Sequence, residues 1–143
     1  ILSEELFSKK SISSMVKEIT IIGHSSPRYL SKPIDPNDLS QVEAYQNNLR
    51  LSSLRALTVT NYIFGKEMNG YLHKEKFRSL TRASGSSYSQ PQKWRSIKEK
   101  KKDSEKGLCG EYSCKWSRRV EISFQIKEAI EKEKLDQLLK DIK

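Results

Sequence analysis

The hydrophobic positions of this chain change their period several times. From Ser3 to Glu18, with Ile19 just beyond, Ile12, Met15, Val16 and Ile19 recur at steps of three and four, which predicts a helix with one apolar stripe. The run Ile-Thr-Ile-Ile, Ile19 to Ile22, then reads as a short buried strand ended by Gly23. Ser25 to Leu39 is rich in Ser, Pro, Asn and Asp, and Pro27, Pro33 and Pro36 exclude regular structure, so a long loop is expected. Loops of that length inside compact domains often carry function. A second helix is predicted from Asp38 or Ser40 to Phe64, with Leu51, Leu54, Thr58 and Tyr62 along one side, Leu57 flanking them, and Gly65 as the stop.

The second half continues in the same manner. A modest strand is expected around Phe77 to Ala83. Arg118 to Ile126 is a clear one, because Val120, Ile122, Phe124 and Ile126 alternate with Glu121, Ser123 and Gln125. Lys127 to Lys143 predicts a charged helix whose stripe is Ile130, Leu135, Leu138, Leu139 and Ile142. The order helix, strand, helix, strand, strand, helix gives one α/β layer pair, with helices against a small sheet.

Composition narrows the function. At 143 residues, 35% hydrophobic and 31% charged, the chain is one domain with polar insertions. No apolar run approaches the roughly 20 residues that cross a bilayer. With neither an initiator methionine nor a leader pattern, the chain is expected to be a mature fragment or excised domain, any anchor or barrel lying outside it. The net charge of +9 suits nucleic acid, an anionic envelope polymer or a membrane surface. Trp94 to Lys106 holds much of the excess and reads as a solvated loop; no regular structure is assigned from Ser84 to Lys106.

Cys109 and Cys114 have four residues between them. A metal site needs two further ligands, and His24 and His73 are far away in sequence. A dithiol redox centre has two intervening residues. A short structural disulfide in an oxidising compartment fits better, with two unpaired cytosolic thiols as the alternative.

No nucleophile with its base, no carboxylate pair and no metal cage stands out, so neither catalytic residues nor a cofactor are assigned, and the chain is read as a binding protein rather than an enzyme. His24 beside Ser25 and Ser26 is assigned to bracing its loop. Tyr88, Trp94, Tyr112 and Trp116 interleave with basic residues, a mixture that can stack bases and follow phosphates, which keeps nucleic-acid binding as a rival. On a helix, Asn48, Leu51, Ser52 and Arg55 share one face with Asn47 and Ala56 beside them. An amide, a hydroxyl and a guanidinium on one line suit either a surface salt bridge or a carboxylate site.

Three blocks in order, Ile-Ile-Gly-His-Ser-Ser (21–26), Asn-Asn-Leu-Arg-Leu-Ser-Ser-Leu-Arg-Ala (47–56) and Ser-Arg-Arg-Val-Glu (117–121), resemble the peptidoglycan-binding domain family of OmpA, the Pal lipoproteins and MotB. The family pattern is a strand ending in Gly-His-Thr-Asp, a helix with Asn-x-x-Leu-Ser-x-x-Arg-Ala, and a late strand opening Asn-Arg-Arg-Val-Glu. The resemblance implies a two-layer α/β sandwich of the OmpA C-terminal type over residues 1–126, with a basic loop insertion at 84–117 and a helical extension at 127–143. It also implies non-covalent binding of peptidoglycan in the periplasm, anchoring an envelope or stator-type membrane protein to the cell wall. A cysteine pair before the late strand is similar to one that forms a disulfide in some members.

The family's ligand is the diaminopimelate side chain of the stem peptide, which ends in an ammonium and a carboxylate. By resemblance Arg55 holds the carboxylate, and Ser25, Ser26, Asn48, Leu51 and Arg118 complete the site. The family's ammonium-binding Asp falls on Ser26 here, so half of the usual charge pair is missing. Losing a charge-assisted contact costs about 1.5–3 kcal/mol, and Asp35, Asp38 or Glu43 of the long loop are candidate replacements. A further reading is a dimerisation module, pairing two copies through the terminal helices, in a MotB-like stator or phage-defence complex with weak wall binding.

Overall fold

The computed structural model describes residues 15–66, 74–127 and 129–142. The first expected helix therefore lies outside the described residues as far as Ser14. Its last turn is corrected: Val16–Glu18 belong to strand β1, Val16–Gly23. Val16, Ile19, Thr20, Ile21 and Ile22 are β-branched, which crowds a helical turn and suits a pleated strand.

The expected loop holds one small hairpin, in which β2 (Arg28–Tyr29) pairs antiparallel with β3 (Lys32–Pro33). Helix α1 spans Val42–Phe64 and stops where Gly65 was expected to stop it. It starts later than anticipated because Asp38 folds a turn of its own, accepting from Ser40 N at 3.0 Å. The modest strand at Phe77–Ala83 is corrected to a short helix, α2 (Lys74–Leu80), followed by β4 (Thr81–Gly85). Helices α3 (Ile97–Lys102) and α4 (Cys114–Ser117), strand β5 (Val120–Ile126) and helix α5 (Ala129–Ile142) follow.

The main sheet has the order β4-β1-β5. Hydrogen bonds Ser86 N to Gly23 O and Ser25 N to Ser87 O continue β1 and β4 in parallel. Lys127 N to Met15 O and His24 N to Arg119 O make β1 and β5 antiparallel, so the small sheet is mixed.

The chain forms two compact units. The first gathers the described parts of Ile1–Thr20, Asn61–Arg82 and Ile122–Lys143. Its core is apolar: Met15, Val16, Ile19, Phe77 and Leu135 are buried, and Ile63, Phe64, Leu80, Phe124, Ile126 and Leu138 pack against them. Leu135 and Leu138 thus tie the C-terminal helix into this core. Ile122 breaks the alternation expected of β5, being 43% exposed.

The second unit, Ile21–Thr60 with Ala83–Glu121, is built differently. Many of its buried side chains are polar: His24, Ser25, Asn48, Ser52, Ser87, Ser113 and Ser117. Burying polar groups costs stability unless they are paired, and several of these serines are. Ser52 Oγ accepts from Ser87 N at 2.9 Å, Ser87 Oγ donates to Tyr45 O at 3.0 Å, and Ser117 Oγ accepts from Gln92 N at 3.0 Å.

The expected apolar stripe of α1 is also corrected. Leu51, Leu54, Leu57 and Tyr62 are all exposed, whereas Ala44, Asn48, Ser52 and Ala56 are buried. Gly23 and Gly85 supply the reason. A Cβ on Gly23 would strike Ser52 O and crowd Ala56 N, and one on Gly85 would strike Ser53. Backbone meets backbone here, and only the small residues, repeating every four positions, fit the contact.

The basic segment is likewise not a bare solvated loop. Trp94 Nε1 donates to Asp103 at 2.7 Å, Trp116 Nε1 donates to Glu99 at 2.8 Å, and the Arg95 guanidinium lies 3.5 Å over the Trp116 ring. Ser96 caps α3 by accepting from Glu99 N. Cys109 and Cys114 are bonded as a disulfide with their Cα atoms 5.5 Å apart, and both are fully buried.

Candidate functional site

The site lies in the second unit, where β1 runs out. Because Gly23 lets α1 sit close, the next residues are held by the helix. The carbonyl of His24 accepts from Arg55 Nη1 at 2.9 Å, and Asn48 Nδ2 donates to Arg28 O and to Ala44 O, each at 3.0 Å. Between them these bonds fix Ser25 and Ser26 beside α1.

A hollow of about 400 Å3 opens there. All six residues expected from the sequence line it: Ser25, Ser26, Asn48, Leu51, Arg55 and Arg118. Their parts differ. Asn48 spends its amide donors on backbone carbonyls, so it braces the loop more than it offers itself to a ligand. Arg118 is forked onto both oxygens of Glu105 at 2.9 Å. Among the described residues, no carboxylate lies within ion-pair distance of Arg55. Burial, and secondly the Arg118 cation, pull its pKa below the usual guanidinium value. A guanidinium remains charged at neutral pH even so.

Sequence reasoning missed Arg28, Tyr29, Leu30, Ser31 and Asn47 as further lining residues, although Asn47 had been placed beside the helix face. Arg28 carried no signal beyond its place in the loop after Ser26. Leu30 and Ser31 form the tip of the β2–β3 hairpin, and both have positive φ, 47° and 64°. Two-residue hairpins need this geometry, which glycine or asparagine would adopt more cheaply.

None of the three candidate replacement acids lines the hollow. Asp35 accepts from Asn37 N at 2.9 Å, and Asp38 is held in its turn by Ser40 and Gln41. Glu43 is nearest by connection, since it accepts from the hydroxyl of the lining Tyr29 at 2.6 Å.

His24 is buried, 1% exposed, but its ring makes no hydrogen bond among the described residues, so the bracing bond to its loop expected from the sequence is not formed. Its Nε2 lies 3.3 Å from Glu121 Oε2 but is not aligned as a hydrogen bond, and its Nδ1 has no partner either. Burial first, then Arg119, lower its pKa against the opposing pull of Glu121, so the ring is neutral at pH 7. Ser25 is 2% exposed, and its Oγ also lacks a hydrogen-bond partner. His24 and Ser25 are therefore not bonded to each other.

Chemically, the hollow offers the Arg55 guanidinium, one nitrogen of which is held by His24 O and which meets no carboxylate among the described residues, with Arg28 on its wall and Arg118 already paired with Glu105. That set suits a planar oxyanion such as a carboxylate. No helix among the described residues is long and apolar enough to cross a membrane. No protein-family model matches the chain, and no curated protein or solved structure is significantly similar to it.

Proposed function

We propose that this chain binds peptidoglycan without a covalent link. Arg55 grips a carboxylate of the diaminopimelate stem peptide, and the domain anchors an envelope or stator-type membrane protein to the wall from the periplasmic side. One observation carries the reading: six residues chosen from three separate sequence blocks line a single hollow, with Arg55 free of any carboxylate among the described residues. The disulfide is compatible with an oxidising compartment. A mixed sheet with α1 packed on β1 and β4 is compatible with a two-layer sandwich of the OmpA C-terminal type.

Retention on purified diaminopimelate-type sacculi tests the proposal. Arg55→Ala, checked for folding by its melting temperature, should lose a charge-assisted contact of about 1.5–3 kcal/mol, roughly ten- to 150-fold in affinity. Wild-type retention of a folded Arg55→Ala protein would refute it. The second reading, a phosphate polymer such as nucleic acid, is favoured by the three guanidiniums at the hollow. It requires a steep fall of affinity with salt in a mobility-shift assay.

A further inference from the structure

The charge around the hollow is one-sided. Arg28, Arg55 and Arg118 line it, and among the described residues no carboxylate does. The nearby acids are committed elsewhere, Glu105 to Arg118 through both oxygens and Glu43 to the Tyr29 hydroxyl. Two lining hydroxyls, Ser25 and Ser26, are buried, and Ser25 Oγ has no partner.

A free amino-acid terminus carries its ammonium one carbon away from its carboxylate. With the carboxylate on Arg55, that ammonium would enter the field of the Arg28 guanidinium, Arg118 being offset by Glu105, and would find no carboxylate among the described lining residues to receive it. Like charges at such separations repel, the more so in a partly buried hollow. Acylating the amine removes the cation and leaves one neutral N–H donor. The repulsion is then removed, while the carboxylate keeps its contact with the Arg55 guanidinium.

We propose that the hollow selects an amino-acid carboxylate whose adjacent amine is acylated, as it is in a peptide cross-link, over the free zwitterion. The preference follows from two guanidiniums, Arg28 and Arg55, that meet no carboxylate among the described residues and border a space that no described acid lines. The volume of about 400 Å3 accommodates a residue with chain continuing from its nitrogen. This deepens the anchoring reading and rests on it: the domain would grip cross-linked wall rather than loose stem ends.

The test is titration calorimetry of the wild-type protein with two stem tripeptides ending in diaminopimelate, one with the distal amine free and one with it acetylated. The acetylated peptide should bind about five-fold tighter at low salt, with a smaller gap at high salt. Equal affinity, or tighter binding of the free amine, overturns the inference. Retention on sacculi with no binding of either peptide also overturns it and leaves the anchoring reading standing. Failure of both peptides and of sacculi removes both. Ser26→Asp, confirmed as folded by its melting curve, should reverse the preference by giving the ammonium a counter-charge; an unchanged preference counts against the charge argument. The wild-type comparison needs no variant, so a misfolded Ser26→Asp protein leaves the test intact.

Discussion

Replacing Gly23 by alanine tests the contact that sets the site. The added Cβ would strike Ser52 O and lie 2.9 Å from Ser52 C and 3.0 Å from Ala56 N. All three atoms are helix backbone, so no side chain can swing aside and α1 must move. Overpacking costs about 1–3 kcal/mol in general, and a backbone obstacle places this case near 3. Alanine also stiffens the unfolded chain, which returns about 0.4–1 kcal/mol. The net loss is then about 2 kcal/mol, or roughly 4–8 °C in melting temperature for a chain of this size. Arg55 lies between Ser52 and Ala56 on the displaced helix and bonds His24 O, so ligand retention should fall as well. Urea unfolding followed by tryptophan fluorescence is a suitable assay, since Trp94 and Trp116 both belong to the second unit. Gly107→Ala is the contrast: its Cβ meets nothing within 4 Å, and only its φ of 88° is penalised. A Gly23→Ala protein as stable as the wild type, or more stable, would refute the close-packing argument.

Stability should fall as pH drops below the ordinary imidazole value of about 6.5. His24 is held lower than that in the fold by burial and Arg119, so the unfolded chain takes up the proton first. The loss grows until the lowered folded value is passed, and His24→Gln should flatten the urea-midpoint profile between pH 7 and 5; an unaltered slope refutes it. Glu121, held low chiefly by its hydrogen bond from Arg119, adds a separate loss below the ordinary carboxylate range, because its stabilisation is present only above it. Reducing the Cys109–Cys114 bond, which closes a loop of sequence separation 5, should cost about 2 kcal/mol by chain entropy. Thiol titration of the unreduced, denatured protein should find no free cysteine. Leu54→Ser and Leu57→Ser should each change the unfolding free energy measured by urea titration by less than about 1 kcal/mol, since both leucines are nearly half exposed; a core-sized loss would restore the stripe read from the sequence.

Several features were settled by local chemistry alone. The end of β1 at Gly23, the end of α1 at Phe64, the strand Val120–Ile126 and the C-terminal helix follow from side-chain period and from glycine. So does the placement of Asn48, Leu51 and Arg55 on one helical face, because helical spacing needs no partner to define it. Tertiary structure decided which face α1 buries. Hydrophobic period points to the large leucines, but Gly23 and Gly85 bring two strands so close that only Ala44, Asn48, Ser52 and Ala56 fit. The same holds for Asn48, whose amide is taken by Arg28 O from twenty residues earlier. It holds too for Arg28 joining the hollow, and for the tryptophans that tie down the basic segment. A pattern read within a few turns records what each residue prefers. Which neighbour takes up that preference depends on contacts between distant segments, and these exist only once the chain has folded.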